Sequence, residues 1–164
     1  MVPAILDDFS EKHNGRRPDL ILHIGIAGVR DYYSIETLAH RDSYVYTDVD
    51  DRLGYEDGEK RWKELQLPPI LMPGIPTIKL LNGWKENAPT GPGLQVSNDA
   101  GRYLCEFIFY TSLGQAELER RDRNVMFLHV PAAHREEDVE VGRAVTIALI
   151  KTLATYLIDR KRSQ

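Results

Sequence analysis

The chain has 164 residues, 42% of them hydrophobic, and carries a formal charge of −4 from 21 basic and 25 acidic side chains. That predicts one domain with apolar material for its own core, and the acidic balance without a dense basic stripe argues against nucleic acid as the main partner. No uninterrupted apolar run reaches the roughly 20 residues of a membrane span, the opening Met-Val-Pro-Ala-Ile-Leu-Asp-Asp lacks the pattern of a secretory signal, and a single cysteine fits a reducing, cytoplasmic compartment.

Val2, Ile5, Leu6 and Phe9 recur at helical spacing, so the chain opens in an amphipathic helix that Asn14-Gly15 and Pro18 end. Residues 20–27, Leu-Ile-Leu-His-Ile-Gly-Ile-Ala, read as a strand buried on both faces of a parallel sheet, with His23 as a packing histidine. Alternation at Ser43-Tyr44-Val45-Tyr46-Thr47 predicts a strand followed by a polar turn. Residues 59–65 predict a short helix with Trp62 and Leu65 facing inward, stopped by Pro68-Pro69 and Pro73-Gly74. Another helix is expected over 76–86, where proline suits the first turn and Ile78, Leu81 and Trp84 recur.

After a loop at 88–93, residues 94–97 form a short strand that leads into Ser-Asn-Asp-Ala-Gly-Arg-Tyr-Leu-Cys-Glu-Phe, residues 97–107. The helix that follows buries one face through Leu104, Phe107, Ile108 and Leu113. Residues 125–130, Val-Met-Phe-Leu-His-Val, are a second strongly apolar strand, closed by Pro131. Residues 136–162 read as a long helix, acidic in its opening turns and basic at Arg160-Lys161-Arg162, with Val141, Ala144, Val145, Ala148, Leu149, Thr152 and Leu153 along its packed body. Strands alternating with helices define an α/β layered domain spanning 1–164, with no repeat or linker to mark a second one.

Cys105 is the residue with the strongest claim to chemistry. A thiol in the first turn of a helix faces unpaired N–H groups and the positive end of the helix dipole, which favour its nucleophilic form. Two readings of the helix start stand open: Gly101 delays it so that Cys105 falls in the first turn, or an Asn98 or Asp99 cap starts it earlier and leaves Cys105 nearly two turns in. His129, 24 residues further on near the carboxyl end of an apolar strand, is of the type that accepts a thiol proton and later protonates a leaving amine. The orienting acid is open between Glu36, placed in the loop after the first strand, and Asp99. His13, His23, His40, His129 and His134 are scattered without metal-ligand spacing, and Gly-Ile-Ala-Gly at 25–28 lacks the third glycine of a dinucleotide fingerprint. No metal or cofactor is expected.

The segment SNDAGRYLCEFIFYTSL, with FLHVP downstream and LILHIGIAG and the Glu36 segment upstream, resembles pyroglutamyl peptidase type I, the pyrrolidone-carboxylate cysteine peptidases. The resemblance implies a three-layer α/β/α sandwich around a mostly parallel sheet, phosphorylase/hydrolase-like, and a Cys105, His129, Glu36 triad. It also implies a cofactor-free exopeptidase that removes the N-terminal pyroglutamyl residue of peptides through a thioester, with Tyr103, Leu104 and Ile108 lining the slot for the lactam ring. Plain core packing is the other reading of those three side chains. Family members begin with a further strand and a glycine- and phenylalanine-rich loop, whereas Met1 here falls in the helix before the second strand. The expected domain is therefore truncated at its N-terminus, and the exposed sheet edge that truncation leaves raises the question of homo-oligomerisation. Residues 52–92 are also longer and richer in proline than the family core requires. The expected partners are N-terminally pyroglutamylated peptides, with neither nucleic acid nor membrane. The alternative is a non-catalytic remnant or interaction module on the same scaffold; a third reading is another cysteine hydrolase acting on a small amide.

Overall fold

The computed structural model describes residues 2–47 and 55–163. In chain order they form α1 (Val2–Lys12), β1 (Ile21–Ile26), β2 (Tyr33–Glu36), β3 (Ala39–His40), α2 (Tyr55–Glu64), β4 (Ile70–Leu71), α3 (Thr77–Asn87), β5 (Leu94–Ser97), α4 (Leu104–Leu118), β6 (Val125–Val130) and α5 (Glu136–Arg162). The main sheet has the order β1-β6-β2-β5, and β3 and β4 form a separate antiparallel pair. β2 runs antiparallel to β6, with Ser34 opposite His129 and Ile35 opposite Leu128. The other two neighbours are parallel: Ile21 N–H donates to Asn124 and Ala27 N–H to Val130, while Tyr33 N–H donates to Gly93 and Thr37 N–H to Ser97. The fold is thus α/β with a mostly parallel sheet, as the sequence predicts.

Burial follows strand position. Val125 to Leu128 on β6 are at most 2% exposed, as a continuous apolar run in a central strand should be. β1 departs from the expectation of a strand buried on both faces. It lies at the sheet edge, and Ile24 and Ile26, on one side of the pleat, are 53% and 68% exposed. β2 was not expected from the sequence, because Tyr-Ser-Ile-Glu shows no apolar alternation, yet all four of its residues are buried. Conversely, residues 43–47 form no strand. Tyr44 turns inward alone, its hydroxyl donating to the His40 carbonyl at 2.6 Å and its amide to Glu59 Oε1 at 3.1 Å. The polar turn expected next lies largely outside the described residues.

The chain divides into two compact units. One comprises Met1–His23, Glu36–Ile75 and Ser97–Phe127, and α4 is its central helix. α4 buries Glu106, Phe109, Tyr110, Ser112, Leu113, Gly114 and Ala116, more than the single face its sequence suggested, because α1 packs on it as well as β3 and β4. Phe107 sits in an aromatic cluster with Tyr44, Tyr55 and Trp62, at centroid distances of 5.5, 5.0 and 4.8 Å. Leu65, expected to face inward from α2, is exposed instead; the buried residues of that helix are Tyr55 and Trp62.

The other unit comprises Ile24–Ile35, Pro76–Val96 and Leu128–Gln164, and in it α3 packs along α5. Trp84 is fully buried and donates its indole N–H to the Val145 carbonyl at 2.9 Å. A Cβ on Gly83 would lie 3.0 Å from the Thr152 methyl, so glycine permits the close approach of the two helices. α5 buries Val145, Ala148, Leu149 and Leu153, while Val141 and Ala144, also expected to pack, face outward. Among the described residues one helix is long and apolar enough to cross a membrane: α5, interrupted by Arg143 and Lys151, holds an 18-residue window of mean hydropathy 1.5. It meets that criterion by length and composition alone.

His23 is the packing histidine expected of it. Its Nε2 lies 2.8 Å from Ser112 Oγ, its ring stacks on Phe127, and burial pushes its pKa down to about 4. The depressed value means that the unfolded chain takes up the proton first, so stability falls as pH drops from about 6.5 towards 4 and then levels off. Denaturant unfolding from pH 7 to 4 should show a loss of up to about 3 kcal/mol from this group. His23→Gln, which keeps a polar group near Ser112 but does not titrate, should remove that component; an unchanged pH slope would contradict the assignment.

Candidate active site

The nucleophile's segment is built by turn chemistry. From the end of β5, Ser97 Oγ accepts the Asp99 amide at 3.2 Å and Asp99 Oδ1 accepts the Gly101 amide at 3.0 Å. Gly101 and Arg102 then take positive φ angles of 96° and 47°, which swing the chain into α4. Tyr103 is the N-cap and Leu104 the first helical residue, so Cys105 stands in the first turn. This settles the two readings in favour of the delayed helix. Asp99 shapes the approach loop and is not the cap.

The Tyr103 side chain makes no capping bond. The stabilising acid is Glu106, the third residue of α4, which the sequence reading did not single out. Its side chain is completely buried and reaches back past the N-cap to accept the Arg102 amide on Oε2 at 2.7 Å. Oε1 accepts both the His40 amide, at 2.9 Å, and the His40 imidazole through Nδ1, at 2.6 Å. An acid at the third helical position is a readable capping signal. Its tertiary partner, 66 residues away, left no mark in the local pattern.

Glu36 is not in a loop, as expected, but is the last residue of β2, with a fully buried side chain. Thr37 follows it and bonds the Ser97 carbonyl twice, through its amide at 2.7 Å and its hydroxyl at 3.0 Å. The exit of β2 is thereby tied to the residue from which the cysteine loop departs. Both Glu36 and Cys105 belong to the first compact unit. His129 belongs to the second, where it is 4% exposed on β6 opposite Ser34, whose hydroxyl accepts a hydrogen bond from Arg30 at 2.6 Å. His129 is the penultimate residue of β6, near its carboxyl end as expected, and β2, which carries Ser34, runs antiparallel to it.

Tyr103, Leu104 and Ile108 are partly buried and pack, with Cys105, against the aromatic and aliphatic core of the first unit. Tyr103 also meets the rings of Tyr46 and Tyr55 edge-on. Among the described residues no group of three or more His, Cys, Asp or Glu side chains is arranged to hold a metal ion.

The fold is that of the pyrrolidone carboxyl peptidases. The solved structure of the enzyme from Thermococcus litoralis matches with a TM-score of 0.69 at 19% identity, over 96% of this chain and 74% of that one. The sequence profile of the pyroglutamyl peptidase family matches residues 5–149, and the chain belongs to that family. It is 29% identical over 127 residues to the pyrrolidone-carboxylate peptidase of Pyrococcus furiosus, which covers 77% of this chain and 58% of that protein. It is 26% identical over 163 residues to pyroglutamyl-peptidase 1 of Homo sapiens, which covers 96% of this chain and 67% of that protein. This chain thus spans about three fifths of the length of these curated relatives.

The left-handed step at Gly101 yields a direct test. Gly101→Ala meets no steric neighbour but places a side chain at a φ of 96°, and it should lower stability by about 1–2 kcal/mol. An unchanged denaturant midpoint would show that the loop does not need this conformation.

Proposed function

We propose that this chain carries the chemistry of a cysteine exopeptidase that hydrolyses the bond after an N-terminal pyroglutamyl residue, in a reducing, cytoplasmic setting. The observation that supports this most directly is the position of Cys105 in the uncapped first turn of α4, inside a segment matched by the family profile. The Cys105 thiolate attacks the pyroglutamyl carbonyl carbon, and the first-turn amides of α4 receive the oxygen's developing negative charge. As the C–N bond breaks, His129 gives its proton to the departing amine and a thioester remains on Sγ. His129 then takes a proton from water, the hydroxide adds to the thioester carbonyl, and C–S cleavage returns the thiolate and releases pyroglutamic acid.

Glu36 is the proposed orienting acid for His129. The complete burial of Glu36 at the end of β2, unusual for a glutamate, supports a role beyond that of a solvated surface group. Tyr103, Leu104 and Ile108 are proposed to line the apolar slot for the lactam ring. No cofactor takes part in this scheme.

The test is turnover of a chromogenic pyroglutamyl amide by the purified chain and by Cys105→Ala. We expect turnover by the first and a loss of at least about 1,000-fold in the second. Equal rates in both proteins would defeat the proposal, and no turnover by either would favour the non-catalytic reading. The thiolate–imidazolium pair has its own readout. Cys105, the sole cysteine, should be alkylated near neutral pH, and His129→Ala should slow that reaction by about 10-fold. An unchanged alkylation rate would sink the ion pair.

A further inference from the structure

A buried carboxylate beside the nucleophile, bonded both to the loop before α4 and to a segment 66 residues away, is the feature of the first unit that the proposed reaction does not use. Both oxygens of Glu106 are occupied: Oε1 by the amide and Nδ1 of His40, and Oε2 by the amide of Arg102, with Arg102 Nε at 3.4 Å. His40 lies four residues after Glu36, and Arg102 three residues before Cys105. A second strap joins the same two segments, because Arg102 Nη1 donates to the Asp42 carbonyl at 2.8 Å.

Neither segment is held by local structure alone. β3 is two residues long, and the loop before α4 passes through two consecutive left-handed residues to an N-cap whose side chain makes no cap bond. In an ordinary capping box the acid at the third helical position bonds the N-cap amide. Here it bonds the residue before the N-cap, so it acts on the loop that delivers the cysteine. Its remaining acceptor capacity fastens β3, and the Glu36 end of the chain with it.

We infer that Glu106 and His40 form a positioning clamp that sets the first turn of α4, and with it Cys105, against the segment that follows Glu36. The inference rests on the cysteine-peptidase reading above. Glu106 and His40 act through Cys105 and touch no reacting atom. Fixing a nucleophile in this way matters because a displacement of about 1 Å from the productive geometry costs on the order of 100-fold in rate.

The test uses the full chain with His40→Ala, His40→Asn, His40→Gln and Glu106→Gln, each checked for folding by circular dichroism. Asparagine can place an N–H near the position of Nδ1, whereas glutamine places its amide one bond further out. Two readouts are taken: alkylation of Cys105 by iodoacetamide at pH 7, and kcat and KM on the chromogenic pyroglutamyl amide, expressed per alkylatable thiol. His40→Ala should lower kcat by roughly 10- to 100-fold with KM within about 3-fold, and should slow alkylation several-fold. Glu106→Gln, which replaces one of the two acceptor oxygens by a donor and so cannot accept from His40 and Arg102 with separate oxygens, should lower kcat similarly. His40→Asn should restore both readouts to within about 3-fold of wild type.

Wild-type kcat per thiol in His40→Ala and Glu106→Gln, or equal impairment of His40→Asn and His40→Ala, would overturn the clamp. If His40→Ala does not fold, the Asn and Gln variants decide, with Asn expected near wild type and Gln impaired; equal behaviour counts against the proposal. If the wild-type chain turns over no pyroglutamyl amide, the peptidase reading fails on its own, and alkylation alone decides the clamp. Faster alkylation in His40→Asn than in His40→Gln then supports it, and equal rates overturn it.

Discussion

A carboxylate withdrawn completely from water is tolerable only if its oxygens find donors inside the protein, and Glu106 imposes that constraint on everything around it. The donors come from Arg102 on one side and His40 on the other, segments far apart in sequence. Satisfying one side chain therefore fixes the loop before α4, the short strand β3 and the first helical turn together. The aromatic cluster around Phe107 completes the same arrangement from the apolar side. Tyr44 belongs to both, stacked with Tyr55 and bonded through its hydroxyl to the His40 carbonyl.

The two compact units are stabilised by different means. In the first, α4 is surrounded closely enough that Ser112 and Glu106 are buried with it, and each is satisfied by a histidine from a strand, Ser112 by His23 and Glu106 by His40. In the second, α3 and α5 pack through Trp84 and the close approach at Gly83, with the buried indole bond to Val145 and the Thr152 hydroxyl, which lies 3.3 Å from both the Gly83 carbonyl and Asn87 Nδ2, as polar contacts between them. The proposed site residues divide accordingly. Cys105 and Glu36 are carried by the unit rich in buried polar pairs, and His129 by the other, which takes the last three residues of β6.

Elements with strong local signals were legible. The apolar runs at 20–27 and 125–130, the proline at the N-cap of α3, and the acid-to-base gradient of α5 all placed their elements within a residue or two. The cysteine's place in the first turn was one of two readings, since the positive φ angles of Gly101 and Arg102 that choose between them are set by contacts beyond the segment. β2 escaped notice because its four residues owe their burial to neighbouring strands and not to their own polarity pattern. Residues 43–47 misled for the converse reason: a tyrosine recruited to an aromatic cluster mimics one tooth of a strand's alternation.

The sequence by itself determined the α/β class, the family, and the residue types available for chemistry, because periodicity, turn residues and the SNDAGRYLCEF segment are local and survive without coordinates. Tertiary structure alone decided that β1 is an edge strand, that Glu36 ends a buried strand, and that Glu106 is bound to His40. These depend on which distant segments supply cover and hydrogen-bond donors. A buried polar group states its need in the sequence, but only the folded chain names the partner that meets it.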